Sequence, residues 1–353
     1  MMVPFKKNLL LIQVLRGIAC LLVVLFHITT NFSEIYHQHW LGNIFLFGNS
    51  GVDIFFVLSG FIITYSNKQY ITKPTRIIKF ITKRAIRVFP IYWIIITFFI
   101  LFQVMFPSFY RTHFNLDTVN ILNTYFLLLN HNMVNGVSWT LTYELFFYML
   151  FTIALFIPQK KYTLLLLFAY LVFLLIIPFI TSSANENQNS LIQLLVFPMN
   201  IEFLLGILVV LFIDSFAQKF CMPILIIGIC LFIISAIISC MNLHIFNSVY
   251  NRVLLFGLPA FFIILSLVKY ELSFTVKTHN LLLKLGDASY SIYLFHLPLV
   301  AAFFKIMVKL HINNPAALTV LSFCLFIIIC YLGIIIYKRV EEPLIKWLNS
   351  KFF

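Results

Sequence analysis

The chain has 353 residues, 62% of them hydrophobic and only 10% charged, and its mean hydropathy is +1.02. A soluble domain carries about 25% charged residues, so this composition excludes an ordinary soluble fold and predicts an integral membrane protein built of helices. A net charge of +13 would suggest a nucleic-acid partner in a soluble protein, but here the charge must first be apportioned among loops.

A spanning helix takes about 20 mostly apolar residues. By that rule about ten spans are predicted, at roughly 9–30, 50–66, 88–107, 138–157, 162–180, 191–213, 221–241, 252–269, 288–309 and 316–337. The first contains "LRGIACLLVVLFH", residues 15–27. It follows Lys6 and Lys7 as a signal peptide would, but it is long and ends in "TTNF" without a small-x-small cleavage site, so it reads as a retained span. Arg16 and His27 are eleven residues apart. Eleven helical residues turn through about 1100°, about 20° past three turns, so both side chains share one face about 16 Å apart along the axis. Ionisable groups inside a membrane are costly and functional by default. The blander alternative is that Arg16 snorkels and His27 bonds a neighbouring backbone group.

The second span follows in "GNSGVDIFFVLSG", residues 48–60, with Asp53 near its start. Asp53 suits a helix N-terminus as well as it suits chemistry. Val52 stands where a G-x-S-x-G elbow needs glycine, so that motif fails. The most basic loop ends in "KRAIRVFPIYW", residues 83–93. Arg84 and Arg87 are i, i+3 neighbours there, able to grip one anion or to anchor the chain at headgroups. Residues 119–130 form a shorter apolar piece, suited to a re-entrant or interfacial helix. "SWTLTYELFFY", residues 138–148, offers Ser138 as a cap and places Glu144 in an apolar run, where it wants a partner. "TSSANENQNS", residues 181–190, is a polar outer loop, and Glu202 in "NIEFLLG" can pair with a buried cation or with the His27 cluster. "SYSIYLFHLP", residues 289–298, sets His296 just before Pro298, whose missing N–H frees a backbone carbonyl, so His296 reads either as functional or as a structural histidine bonded to that region.

The six cysteines lie in or at the ends of apolar runs and read as reduced, buried groups. No P-loop, dinucleotide fingerprint or H-E-x-x-H motif is present, and His37 and His39 have no second ligand cluster, so no metal or cofactor site is expected. Of the 24 Lys and Arg, only Arg111, Arg252, Lys305 and Lys309 fall in loops or span ends on one side, Arg16 lies in the first span, and the rest share the other side. That asymmetry predicts a single bundle with both termini cytoplasmic. It accounts for the positive charge without nucleic acid.

Taken in order, these stretches resemble the membrane-bound acyltransferase 3 family. Arg16 and His27 come first, then "GVDIFFVLSG" from Gly51, then Arg84 and Arg87 with Pro90 close behind. "SWTLTYE" ending at Glu144, "SYSIYLFHLP" around His296, and the pair Glu342 and Pro343 complete the series, which covers essentially the whole chain. The form "WTLTYELFFY" is most similar to the branch that acetylates exopolysaccharides. Met199 departs from the pattern, standing where many members have arginine. The resemblance implies one acyltransferase membrane domain over residues 1–353 of a multi-pass plasma-membrane protein, with no fused soluble domain. It also implies transfer of an acetyl or similar short acyl group from cytosolic acyl-CoA to a hydroxyl of a polysaccharide or lipid-linked glycan. Arg16, Arg84 and Arg87 would then bind polyanionic CoA. His27 would act as general base, with Glu144 or, less favoured, Asp53 orienting it. Tyr, Ser or His296 donors would stabilise the oxyanion. Ten spans with intramembrane charges are equally the profile of a glycan transporter or flippase without chemistry, although no paired half-chain repeat is visible.

Overall fold

The computed structural model describes residues 9–68, 73–106, 117–128, 134–157, 159–180, 190–241 and 248–353. Among the described residues all regular structure is helical: α1 (Leu10–Tyr36), α2 (Gly51–Asn67), α3 (Ile77–Met105), α4 (Thr118–Phe126), α5 (Trp139–Phe156), α6 (Lys160–Ile180), α7 (Ser190–Val196), α8 (Asn200–Phe212), α9 (Cys221–Cys240), α10 (Val249–Arg252), α11 (Leu258–Ser273), α12 (Asn280–Asp287), α13 (Ser289–Lys309), α14 (Pro315–Ile336) and α15 (Glu342–Phe352). Single π-turns at Val253–Gly257 and Tyr337–Glu341 join α10 to α11 and α14 to α15. Eight of the described segments are long and apolar enough to cross a membrane.

The other two expected spans fall on shorter apolar helices, Lys161–Ile177 and Asn200–Phe212. The run at 191–213 is broken into α7 and α8 because Pro198 disfavours helical backbone at Phe197. The first span, by contrast, runs six residues beyond its expected end. Thr29, Thr30 and Asn31 turn their side chains back onto the carbonyls of Leu25 and His27, so polar residues continue the helix. The apolar piece at 119–130 contains the short helix α4, capped by the Asp117 carboxylate accepting from the Asn120 N–H at 2.7 Å. Residues 129–130 of that piece lie outside the described residues, as do Arg111 and most of the polar loop at 181–190.

Contacts divide the chain into two units. The first comprises Met1–Arg16, Val52–Thr82 and Tyr143–Thr278. Within it α2 and α8 cross at glycines. A Cβ on Gly60 would lie 2.1 Å from the Phe203 carbonyl oxygen, and one on Gly206 would lie 2.1 Å from that of Val57. Small residues thus let the two backbones close, as is usual where helices meet without a hydrophobic driving force. Phe203 stacks between Phe56 and Phe147, with ring centroids 4.6 and 4.5 Å away. Glu271, buried on α11, accepts from the N–H groups of Leu10 and Leu11 at 2.5 and 2.8 Å. It thereby satisfies donors that the first turn of α1 leaves orphaned and sets a negative charge at its N-terminus.

The second unit comprises Gly17–Gly51, Lys83–Thr142 and His279–Phe353. Here α13 packs on α14 and against α1, where Cys20 Sγ donates to the Ser289 carbonyl at 3.3 Å. Helix α4 is pinned to α3 by three bonds. Tyr92 Oη donates to the Thr124 carbonyl at 2.7 Å, Trp93 Nε1 donates to that of Tyr125 at 2.9 Å, and Thr97 Oγ1 meets Tyr125 Oη at 2.6 Å.

Candidate active site

Pro298 has no N–H, so the Leu294 carbonyl four residues before it loses its intrahelical donor. Asn135 Nδ2 replaces that donor at 2.7 Å. The freed carbonyl is therefore taken, and His296 bonds neighbouring carbonyls of the same turn. Its Nδ1 lies 2.7 Å from the Tyr293 carbonyl oxygen and 3.2 Å from that of Ile292. Both are acceptors only, so Nδ1 carries the hydrogen, and the neutral ring presents a lone pair at Nε2. His296 is 0% exposed, and Nε2 has no hydrogen-bond partner. The turn bearing it is fixed from the side as well. Tyr293 Oη lies 2.8 Å from Thr140 Oγ1 and donates to the Val137 carbonyl at 3.3 Å.

His27 faces this ring from α1. The two imidazole centroids are 5.2 Å apart, with the ring planes tilted by 43°. His27 is half-buried, and its carbonyl accepts from Asn31 Nδ2 at 2.9 Å and Thr30 Oγ1 at 3.3 Å. One imidazole is thus buried and aimed, while the other keeps part of its surface open. Arg16 is on the same helix, its Nη1 donating to Gln13 Oε1 at 3.1 Å.

Arg84 and Arg87 lie on α3 as the i, i+3 pair expected from sequence. Arg87 Nη1 donates to Glu341 Oε1 at 2.6 Å. Glu341 is 0% exposed and also accepts from Ser291 Oγ at 2.6 Å. The Arg87 guanidinium lies 5.5 Å from the centroid of the Tyr290 ring, and Tyr290 Oη donates to the Val88 carbonyl at 2.9 Å. Arg87 is therefore held in place from α13 and from the turn before α15.

In the first unit, Asp53 is in the first turn of α2, fully buried, and held bidentately by one edge of the Arg252 guanidinium. Arg252 Nε lies 3.1 Å from Oδ1 and Nη2 lies 2.7 Å from Oδ2. Glu202 is fully buried in the field of the same two residues and close to Gly257, where a Cβ would lie 2.8 Å from Glu202 Oε1. Arg252 is the cation in that field, but its guanidinium bonds Asp53, and among the described residues neither Glu202 carboxylate oxygen has a hydrogen-bond partner. Glu144 accepts from the hydroxyl of Tyr148 one turn on and from Ser59 Oγ at 3.5 Å. Among the described residues, no three His, Cys, Asp or Glu come together as metal ligands.

Sequence reasoning passed over Glu341, Ser291, Asn135 and Arg252. Glu341 stood next to the singled-out Glu342, which instead forms an exposed i, i+4 pair with Lys346 at 2.6 Å. Arg252 reads from the sequence as a cation at the start of the span 252–269, and nothing along the chain names Asp53 as its partner.

The profile of the acyltransferase domain family, Acyl_transf_3, matches residues 10–336. The chain belongs to the acyltransferase 3 family. It is an acyl-transferring, multi-pass membrane enzyme. A curated relative is the "Exopolysaccharide production protein ExoZ" of Rhizobium meliloti (strain 1021), 27% identical over 320 residues that cover 86% of this chain and 92% of the relative. No solved structure gives a significant match.

Proposed function

We propose that this acyltransferase moves an acetyl or similar short acyl group from cytosolic acyl-CoA to a hydroxyl of an exported polysaccharide or its lipid-linked precursor. The similarity to a protein named for exopolysaccharide production supports the acceptor class. The charge asymmetry supports ten spans in the plasma membrane with both termini cytoplasmic, the two shorter apolar helices being counted as spans. On that topology Arg84 and Arg87 lie at the inner mouth, where the CoA phosphates arrive, and Arg16 lies beside them. Glu341 orients the Arg87 fork.

His27 is the general base. The observation that carries this reading is a mostly buried, partly exposed imidazole on a membrane-spanning helix of an acyltransferase, on the face it shares with Arg16. A sugar hydroxyl is a poor nucleophile at neutral pH, and a neutral imidazole takes its proton as the oxygen attacks the thioester carbonyl. The new C–O bond forms, the C–S bond breaks, and the proton passes from His27 to the departing CoA thiolate. Asp53 through Arg252, and Glu144 through Ser59 on α2, tie their helices to neighbours and are assigned a positioning role.

The test is thioester turnover by purified protein in lipid nanodiscs. With acetyl-CoA labelled in the acetyl group and the host's own exopolysaccharide, free CoA and labelled glycan should appear in equal amounts. Glycan that stays unlabelled while intact acetyl-CoA is recovered would overturn the proposal.

A further inference from the structure

We propose that His296 is the positioning partner of His27: its Nε2 lone pair accepts the N–H of the His27 ring, leaving the other His27 nitrogen to take the proton of the attacking hydroxyl. The proposal rests on the reading of His27 as general base. A neutral imidazole has one donor and one acceptor nitrogen, so a histidine base works only if something fixes which nitrogen keeps the lone pair. In serine-type triads a buried carboxylate does this. Here the two candidate carboxylates are engaged elsewhere, Asp53 by Arg252 and Glu144 by Tyr148 and Ser59.

His296 supplies what the carboxylate would. Its Nδ1–H is committed to the Tyr293 and Ile292 carbonyls, so Nε2 can only accept. A fully buried acceptor without a partner demands an explanation, and His27 is the ring beside it. At a centroid separation of 5.2 Å, two ring nitrogens turned toward each other come within hydrogen-bond reach. Because His296 is anchored, a turn of the partly exposed His27 ring about its own side-chain torsions is what aligns the two nitrogens. A neutral acceptor also avoids a buried anion inside the membrane. When His27 takes up a proton, the bond to His296 shares the cation between two rings. The same anchoring removes His296 from the oxyanion donors, since its neutral ring has no N–H at Nε2.

His296→Phe keeps a ring of similar size without the acceptor, and His296→Gln keeps an acceptor oxygen. His296→Phe should lower kcat roughly 10²-fold, at the lower end of what general-base catalysis contributes, with the acyl-CoA KM unchanged. His296→Gln should recover part of that loss. In a His27→Gln background, His296→Phe should cost nothing further, because residues that act as a unit are not additive. Nitrogen-15 spectra of labelled histidine should show a single His27 tautomer in the wild type and a mixture in His296→Phe. An unchanged kcat in His296→Phe, or a further loss in the His27→Gln background, would overturn the proposal. Should His296→Phe fail to fold, the wild-type spectrum decides, and a mixed His27 tautomer there would overturn it. An active His27→Gln enzyme would instead overturn the base assignment on which it rests.

Discussion

Replacing Arg87 with Ala removes the cation that faces Glu341. The carboxylate is 0% exposed, so once Arg87 is gone it keeps, among the described residues, the Ser291 hydroxyl. Removing one partner of a buried pair costs about 3–5 kcal/mol, mostly because the other charge is stranded. The Arg87 side chain is 31% exposed and screened in part by solvent, and Ser291 still donates one bond, which places the cost near the lower end. About 3 kcal/mol corresponds to roughly a hundredfold in the ratio of folded to unfolded protein. Arg87→Ala should therefore do two things at once: lower the thermal midpoint of the detergent-solubilised enzyme and raise its KM for acyl-CoA. The pair Arg87→Met with Glu341→Gln separates them. With both charges removed and the Ser291 bond kept, the midpoint should return most of the way while the donor KM stays high. Size-exclusion recovery after heating gives the first quantity and thioester kinetics give the second. An Arg87→Ala enzyme that melts like the wild type would refute the reasoning, as would a double variant that melts as low as Arg87→Ala.

Asn135→Ala strips the Leu294 carbonyl of its substitute donor and should cost about 1–3 kcal/mol. Pro298→Ala restores the intrahelical N–H, so in that background Asn135→Ala should cost far less; full additivity of the two losses would contradict the exchange. Gly60→Val puts a Cβ 2.1 Å from the Phe203 carbonyl and should drive α2 from α8, with an overpacking loss of about 1–3 kcal/mol or more seen as reduced folded yield; wild-type yield would refute the close crossing. In a protein without its native cysteines, Gln38→Cys should label from outside intact cells and Lys277→Cys only after permeabilisation, and the reverse pattern would sink the topology.

What could be read along the chain was local. The shared face of Arg16 and His27 follows from helical pitch alone, and α1 carries both. The i, i+3 spacing of Arg84 and Arg87 holds for the same reason, since α3 begins early enough to include them. Pro298 announced a freed carbonyl, but nothing nearby announced Asn135, whose bond to Leu294 spans 159 residues of chain. The bond from Arg87 to Glu341 spans 254 residues, and that from Arg252 to Asp53 spans 199. Partners that distant are chosen by packing, which local periodicity does not record. The choice of Glu341 over Glu342 has a further cause. The π-turn at Tyr337–Glu341 adds a residue to the helical turn and rotates everything after it, so the register read from α14 does not say which of two adjacent acids faces inward.

The most direct test of the account is turnover by His27→Gln. Glutamine can hydrogen-bond but cannot take the proton. General-base catalysis typically contributes about 10²- to 10⁴-fold, so the variant should lose about that much kcat while keeping its folded yield and acyl-CoA affinity. Turnover within about tenfold of the wild type would contradict proton abstraction by His27.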